Sequence, residues 1–197
     1  MYARIAAFEG CGLERLGAFA GDDDARRESL PRDVVLSLVL ADEERNRRLF
    51  ITLFESHDDM QRAALAFDGM ADDVPEDERG RRTSVEHFEV LLADTSDDAR
   101  VARDHTLEVP TDQIDDALRY AGNELLPKMR EVPGWQGVLA LADRESGRLR
   151  FITLWRSADS LAAGDARVAD FPETASPELA AAMPDLATLT VLLTRRR

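Results

Sequence analysis

The alternation of apolar and polar positions divides this chain into short strands and two kinds of helical segment. "VARDHTLEVP" (Val101–Pro110) mixes β-branched, apolar and polar residues and stops at a proline, which predicts a strand. Ile114, Leu118, Leu125 and Met129 then fall near helical spacing. Asp112, Asp115 and Asp116 occupy the first turn of that helix, where carboxylates suit the positive end of the helix dipole, and Thr111 is its expected N-cap. Pro127 is expected to bend or interrupt the helix, and Pro133-Gly134 to end it. "WQGVLALAD" and "RLRFITLWR" read as hairpin strands joined by "RESG". Ser157 is the expected N-cap of "SADSLAAGDARVADF", and "DLATLTVLLT" is the closing strand. The order β-α-β-β-α-β is that of a ferredoxin-like unit.

The preceding half of the chain says nearly the same thing. Shifted by 101 positions, Leu38–Met60 matches Leu139–Leu161 at 12 of 23 positions without a gap, and Val90-Leu91-Leu92 falls on Val191-Leu192-Leu193. Duplication explains such a match and chance does not. The sequence therefore predicts two ferredoxin-like units, residues 1–94 and 101–197, joined by an acidic linker over 95–100. The first helix of the first unit, around Leu13–Leu30, is the weak element, because "GDDDARRESLPRD" breaks its apolar pattern. A ferredoxin-like sheet carries helices on one face only. Here both faces of several strands are apolar: Phe151, Thr153 and Trp155 alternate with Ile152 and Leu154, and Phe88, Val90 and Leu92 with Val85 and Leu91. Such strands are buried on both sides. The expected fold class is α+β, two antiparallel sheets packed against each other as an intramolecular pseudo-dimeric α/β barrel, with further homo-oligomerisation left open.

Charge narrows the choice of partner. A net charge of -14 repels phosphate backbones and anionic lipid surfaces, so the expected partner is a small molecule, not nucleic acid or membrane. Lys128 is the only lysine. The single cysteine, Cys11, excludes an internal disulfide and a thiolate zinc cluster within one chain. No apolar run is long enough to span a membrane, and Glu9, Glu14 and Arg15 interrupt the one stretch that imitates a signal peptide, so a cytoplasmic protein is expected.

"ELLPKMREVPGWQGVLALADRESGRLRFITLWRSADSL" (Glu124–Leu161) resembles the antibiotic biosynthesis monooxygenase family of the dimeric α/β-barrel superfamily. The features in common are a late proline in the first helix (Pro127), the "PGWQG" lead into the second strand, and the tryptophan-bearing "ITLWRSADSL" that runs into the second helix. The resemblance implies a dimer fused into one chain. It also implies oxygenation of a quinol-like aromatic without metal or flavin, or haem degradation. The haem-degrading branch places an asparagine on the first strand, and a tryptophan and a histidine on or around the second helix. Here the first strands lack asparagine, and the second helices hold neither of the other two, since His57 stands only at the start of one.

The residues offer few catalytic groups. His57, His87 and His105 are far apart and form no HxH or HxxxH pair, so no metal site is expected. His105, on the first strand of the second half beside Asp104, is the candidate base for a phenolic substrate. The competing reading is an inert, hydrogen-bonded histidine. Trp155, the counterpart of Phe54, carries an indole N–H that could orient a polar ligand or, equally, plug a core. Trp135 is placed to line a pocket mouth or pack the core. Asn123, on the first helix with Tyr120, could meet a substrate carbonyl or only solvent. No cofactor is expected. The leading reading is a cofactor-independent monooxygenase-like protein; the alternative is a non-catalytic binding or structural protein on the same scaffold.

Overall fold

The structure, a computed structural model, describes residues 1–10, 31–72, 76, 80–169 and 185–196. Cys11 and the expected helix around Leu13–Leu30 lie outside the described residues. The elements are β1 (Tyr2–Glu9), β2 (Val34–Asp42), β3 (Arg47–Phe54), α1 (His57–Asp72), β4 (Arg81–Thr95) and β5 (Val101–Glu108). They continue with α2 (Ile114–Tyr120), α3 (Leu126–Arg130), β6 (Trp135–Asp143), β7 (Arg148–Trp155), α4 (Ala158–Ala169) and β8 (Asp185–Arg196). The architecture is α+β, and the strand pairings given below are antiparallel.

The chain forms two compact units, one of Met1–Phe88 with Thr190–Arg197, the other of Glu89–Leu189. Strands β1-β3-β2-β8 are neighbours in the first, and β5-β7-β6-β4 in the second. The end of each closing strand thus belongs to the unit built mainly from the other half of the sequence. β4 is 15 residues long, and its second part, Glu89–Thr95, pairs with β6. The end of β8, Thr190–Arg196, pairs with β2.

Pairing registers recur at the 101-residue offset. β2 slips against β3 between Val34 and Leu36, and β6 against β7 between Trp135 and Gly137. β8 bulges at Leu192, skipped between Val39↔Leu193 and Leu40↔Val191, and β4 bulges at Leu91, skipped between Leu92↔Ala140 and Val90↔Leu141. Residues opposite one another in an antiparallel pair share a face, so Val90 and Leu92 point to opposite faces. The expected alternation of Phe88, Val90 and Leu92 fails at this point because the extra residue resets the register. The hairpin turns also correspond: Asn46 (φ 46°) and Gly147 (φ 77°) hold the left-handed position, which asparagine and glycine tolerate best.

Several sequence expectations need adjustment. Strand β4 runs on through Thr95, the first residue of the expected linker. Thr111 is no N-cap: Pro110 precedes a 3₁₀ turn (Thr111–Gln113), and no side chain caps it. Pro127 interrupts the helix as expected. It has no N–H to return to the preceding turn, and the backbone widens into a π-turn over Ala121–Leu125 just before it. Ser56 and Ser157 do cap: Ser56 Oγ accepts from Asp59 N–H (3.1 Å) and Ser157 Oγ from Ser160 N–H (3.2 Å).

Within each unit both sheet faces are buried. Ile5, Ile51 and Leu38 share the face away from α1 and are at most 1% exposed; Ile152, Leu154, Leu139 and Leu141 do the same in the second unit. This second face also holds an ion pair. Arg150 donates from Nε (2.9 Å) and Nη2 (2.6 Å) to the two carboxylate oxygens of Asp104, and both residues are under 9% exposed. A two-point geometry offsets the cost of taking both charges out of water, whereas a lone survivor would be left uncompensated. Asp104→Ala is therefore expected to lower unfolding stability by roughly 3–5 kcal/mol in urea titration. The double variant Asp104→Leu/Arg150→Met should recover most of that loss, and a single variant within about 1 kcal/mol of wild type contradicts the account.

Candidate functional site

On the helix-side face of the second unit, β5 presents Val101, Arg103, His105 and Leu107 opposite Trp155, Thr153, Phe151 and Leu149 of β7. The side is fixed by contacts: Leu107 and Leu149 pack with Ile114 of α2, and Trp155 with Met129 of α3 and Leu161 of α4. The strand-order periodicity of β5 thus puts His105 among helices, flanked by Arg103 on one side and Leu107 on the other.

His105 is half-buried. Burial lowers its imidazole below the ordinary value of 6.5, and the Arg103 guanidinium lowers it further, while Asp104 and Asp165 pull the other way. The neutral ring is therefore favoured at neutral pH and keeps a nitrogen free to accept a proton. Arg103 is anchored by Asp165 of α4 and by Thr188 of β8, whose Oγ1 it meets at 2.5 Å, while its buried Nε has no partner among the described residues. Sequence reasoning missed Arg103, Asp165 and Thr153. A signal existed: an Ala-Arg pair stands at the same place on the first strand of each half, at Ala3-Arg4 and Ala102-Arg103.

Trp155 is 1% exposed, and its indole Nε1–H donates to Thr153 Oγ1 at 3.0 Å. Trp135, half-buried, meets it edge-on at 5.1 Å between ring centroids. Gly164 of α4 lies against the indole so closely that a Cβ there would collide with it, so only glycine lets the helix approach. Trp155 and Trp135 are thus brought together, about one strand end from Arg103. Asn123 is not: it lies in the π-turn and is exposed. His57 and His87 are also exposed and belong to the other unit. Among the described residues no group of three or more His, Cys, Asp or Glu side chains is arranged to hold a metal ion. No described helix is long and apolar enough to cross a membrane.

The fold has known counterparts. A candidate monooxygenase of Fusobacterium nucleatum superposes with a TM-score of 0.73 at 12% identity, covering 100% of this chain and 94% of that one. An anthrone oxidase-like protein gives 0.61 at 16%, covering 99% and 92%. A ferredoxin-fold protein of Listeria monocytogenes related to antibiotic biosynthesis monooxygenases gives 0.50 at 11%, covering 96% and 94%. No family model matches the sequence, and no curated protein does. At these identities the likeness is one of fold: the chain has the architecture of the monooxygenase-like ferredoxin-fold proteins.

The His105 environment sets a pH response. A histidine whose folded pKa is depressed resists protonation, so the unfolded chain binds the extra proton first. Stability is then level above the unfolded value near 6.5 and falls as pH drops from there through the lower folded value. His87 shifts in the same direction through burial, Arg4 and His57, so the informative quantity is a difference. Chemical denaturation of wild type and His105→Gln between pH 7.5 and 5 should show a shallower acid loss in the variant; parallel curves contradict the assignment.

Proposed function

We propose that the second unit binds an aromatic, quinol- or anthrone-type small molecule at His105 and promotes its oxygenation without a cofactor. The observation that carries this reading is a half-buried, neutral-favouring histidine on the helix-side face of β5, beside Phe151 and a guanidinium with an unpartnered Nε–H. The likeness of fold to an anthrone oxidase-like protein supports the substrate class. His105 takes a proton from the substrate, and the guanidinium of Arg103 stabilises the oxyanion that results. The carbanion form passes electrons to dioxygen, and the hydroperoxide that forms loses water. For an anthrone, one dioxygen is consumed; one oxygen atom enters the product as the quinone carbonyl and the other leaves as water. The same reading takes the chain as a duplicated unit, for which the recurring registers are the support, with the chemistry in the second copy.

A second reading is favoured by Trp155. Its N–H is already bonded to Thr153 and its ring is packed on Gly164, as in a filled interior. On that reading the protein is a binding or structural member of the same fold, without turnover. Oxygen uptake separates the two. With anthrone or a hydroquinone and no added metal or flavin, the first predicts uptake well above the buffer rate, one dioxygen per anthrone, and a loss of about 10²-fold in kcat/KM in His105→Gln. Uptake equal to the buffer rate, or unchanged in the variant, sinks it.

A further inference from the structure

The first unit carries a buried guanidinium with a more distant counter-charge than its counterpart in the second. Arg4 of β1 stands opposite Thr52 of β3, and Thr52 opposite Ser37 of β2, so the three form one row across neighbouring strands. The row faces α1, because the Arg4 guanidinium lies 5.1 Å from the Phe67 ring centroid and reaches toward Asp68. Arg4 is 5% exposed and Ser37 6%, yet Arg4 Nε and Ser37 Oγ have no hydrogen-bond partner among the described residues. Thr52 Oγ1 makes only a long bond to the Arg4 carbonyl, at 3.4 Å.

Among the described residues Arg4 also lacks a close counter-charge. Asp68 is 3.9 Å away, about half exposed, and already accepts from Arg82 Nη1 at 2.5 Å. Arg103, its counterpart, holds Asp165 and Thr188 instead. The other charged groups facing it add no negative charge: Arg82 lowers the Arg4 guanidinium further, and Arg4 in turn disfavours the charged form of His87. Burial pulls the Arg4 guanidinium below its ordinary value for want of compensation. A buried donor left unmade is costly, and two side by side with a cation between helix and sheet describe half of a site.

We infer that the first unit holds a binding site for an aromatic carboxylate, its anionic oxygens accepting from Arg4 Nε and Ser37 Oγ and its ring lying against the apolar side chains under α1. A guanidinium prefers a planar carboxylate, which it can engage at two points. Phe54, Met60 and Ala63, buried together with Val34 and flanked by Phe67 and Tyr2, supply the apolar surroundings. This site is separate from the one proposed at His105 and needs no redox step, so the outcome of either test leaves the other standing.

Isothermal titration with sodium benzoate at constant ionic strength tests it, with benzyl alcohol as the neutral probe of the same shape. Wild type should give saturable one-to-one binding, and benzyl alcohol should bind at least tenfold more weakly. Arg4→Met should weaken benzoate binding at least tenfold, and Ser37→Ala several-fold. Thermal unfolding reports whether the variants fold; should Arg4→Met fail to, the Ser37→Ala affinity decides. Absent benzoate binding, equal binding of the alcohol, or an affinity unchanged in the variants overturns the inference.

Discussion

The structure rests on two strand pairings that join residues far apart in the sequence: β8 to β2, and β4 to β6. Without them β2 and β6 would each present an open row of N–H and C=O groups, the condition under which strands recruit the wrong partners. β4 and β8 are the longest strands among the described residues, at 15 and 12 residues. Each also carries one bulge, at Leu91 and Leu192, inside these two pairings, which adds local twist. The bulge then decides which closing-strand side chains face the helices, as Val90 and Leu92 show.

With both faces of each sheet buried, every polar group on a strand must find a partner inside the protein. The second unit does this in part, through three pairs. Asp104 and Arg150 pair on one face; Arg103 and Asp165, and Trp155 and Thr153, pair on the other. His105 sits between these solved problems, and its depressed basicity follows from the same dryness. Among the described residues the first unit leaves Arg4 Nε, Ser37 Oγ and the fully buried Arg48 Nε unpaired, and the second leaves Arg103 Nε. Repeated backbone geometry thus carries unlike polar interiors, which is the physical reason to assign the two units different ligands.

The element order was legible because hairpins and helix caps are local. "RESG" gives its turn through Gly147, and Ser56 and Ser157 cap as serine followed by a polar third residue should. The partners of the closing strands were not legible, since pairing depends on contacts far apart in sequence, and one bulged residue hides the change of register. Thr111 misled because Pro110 already fixes the backbone into a 3₁₀ turn, so no helix N-terminus remains for the threonine to cap. His105, Trp155 and Trp135 could be picked out by residue type. Arg103 and Arg4 were passed over because an arginine on a strand reads as solvent-facing until burial is known. Asn123 was picked for its chemistry and lies in solvent, where the helix widens ahead of Pro127.

Hydrogen exchange on a chain ending at Leu189 tests the pairing scheme most directly, because it removes Thr190–Arg197 and nothing else. The account predicts that amides of Leu36–Ala41 in β2, more than 140 positions from the cut, lose protection while those of Val138–Ala142 in β6 keep theirs. Protection that stays intact in β2, or that disappears in β6 instead, would contradict it.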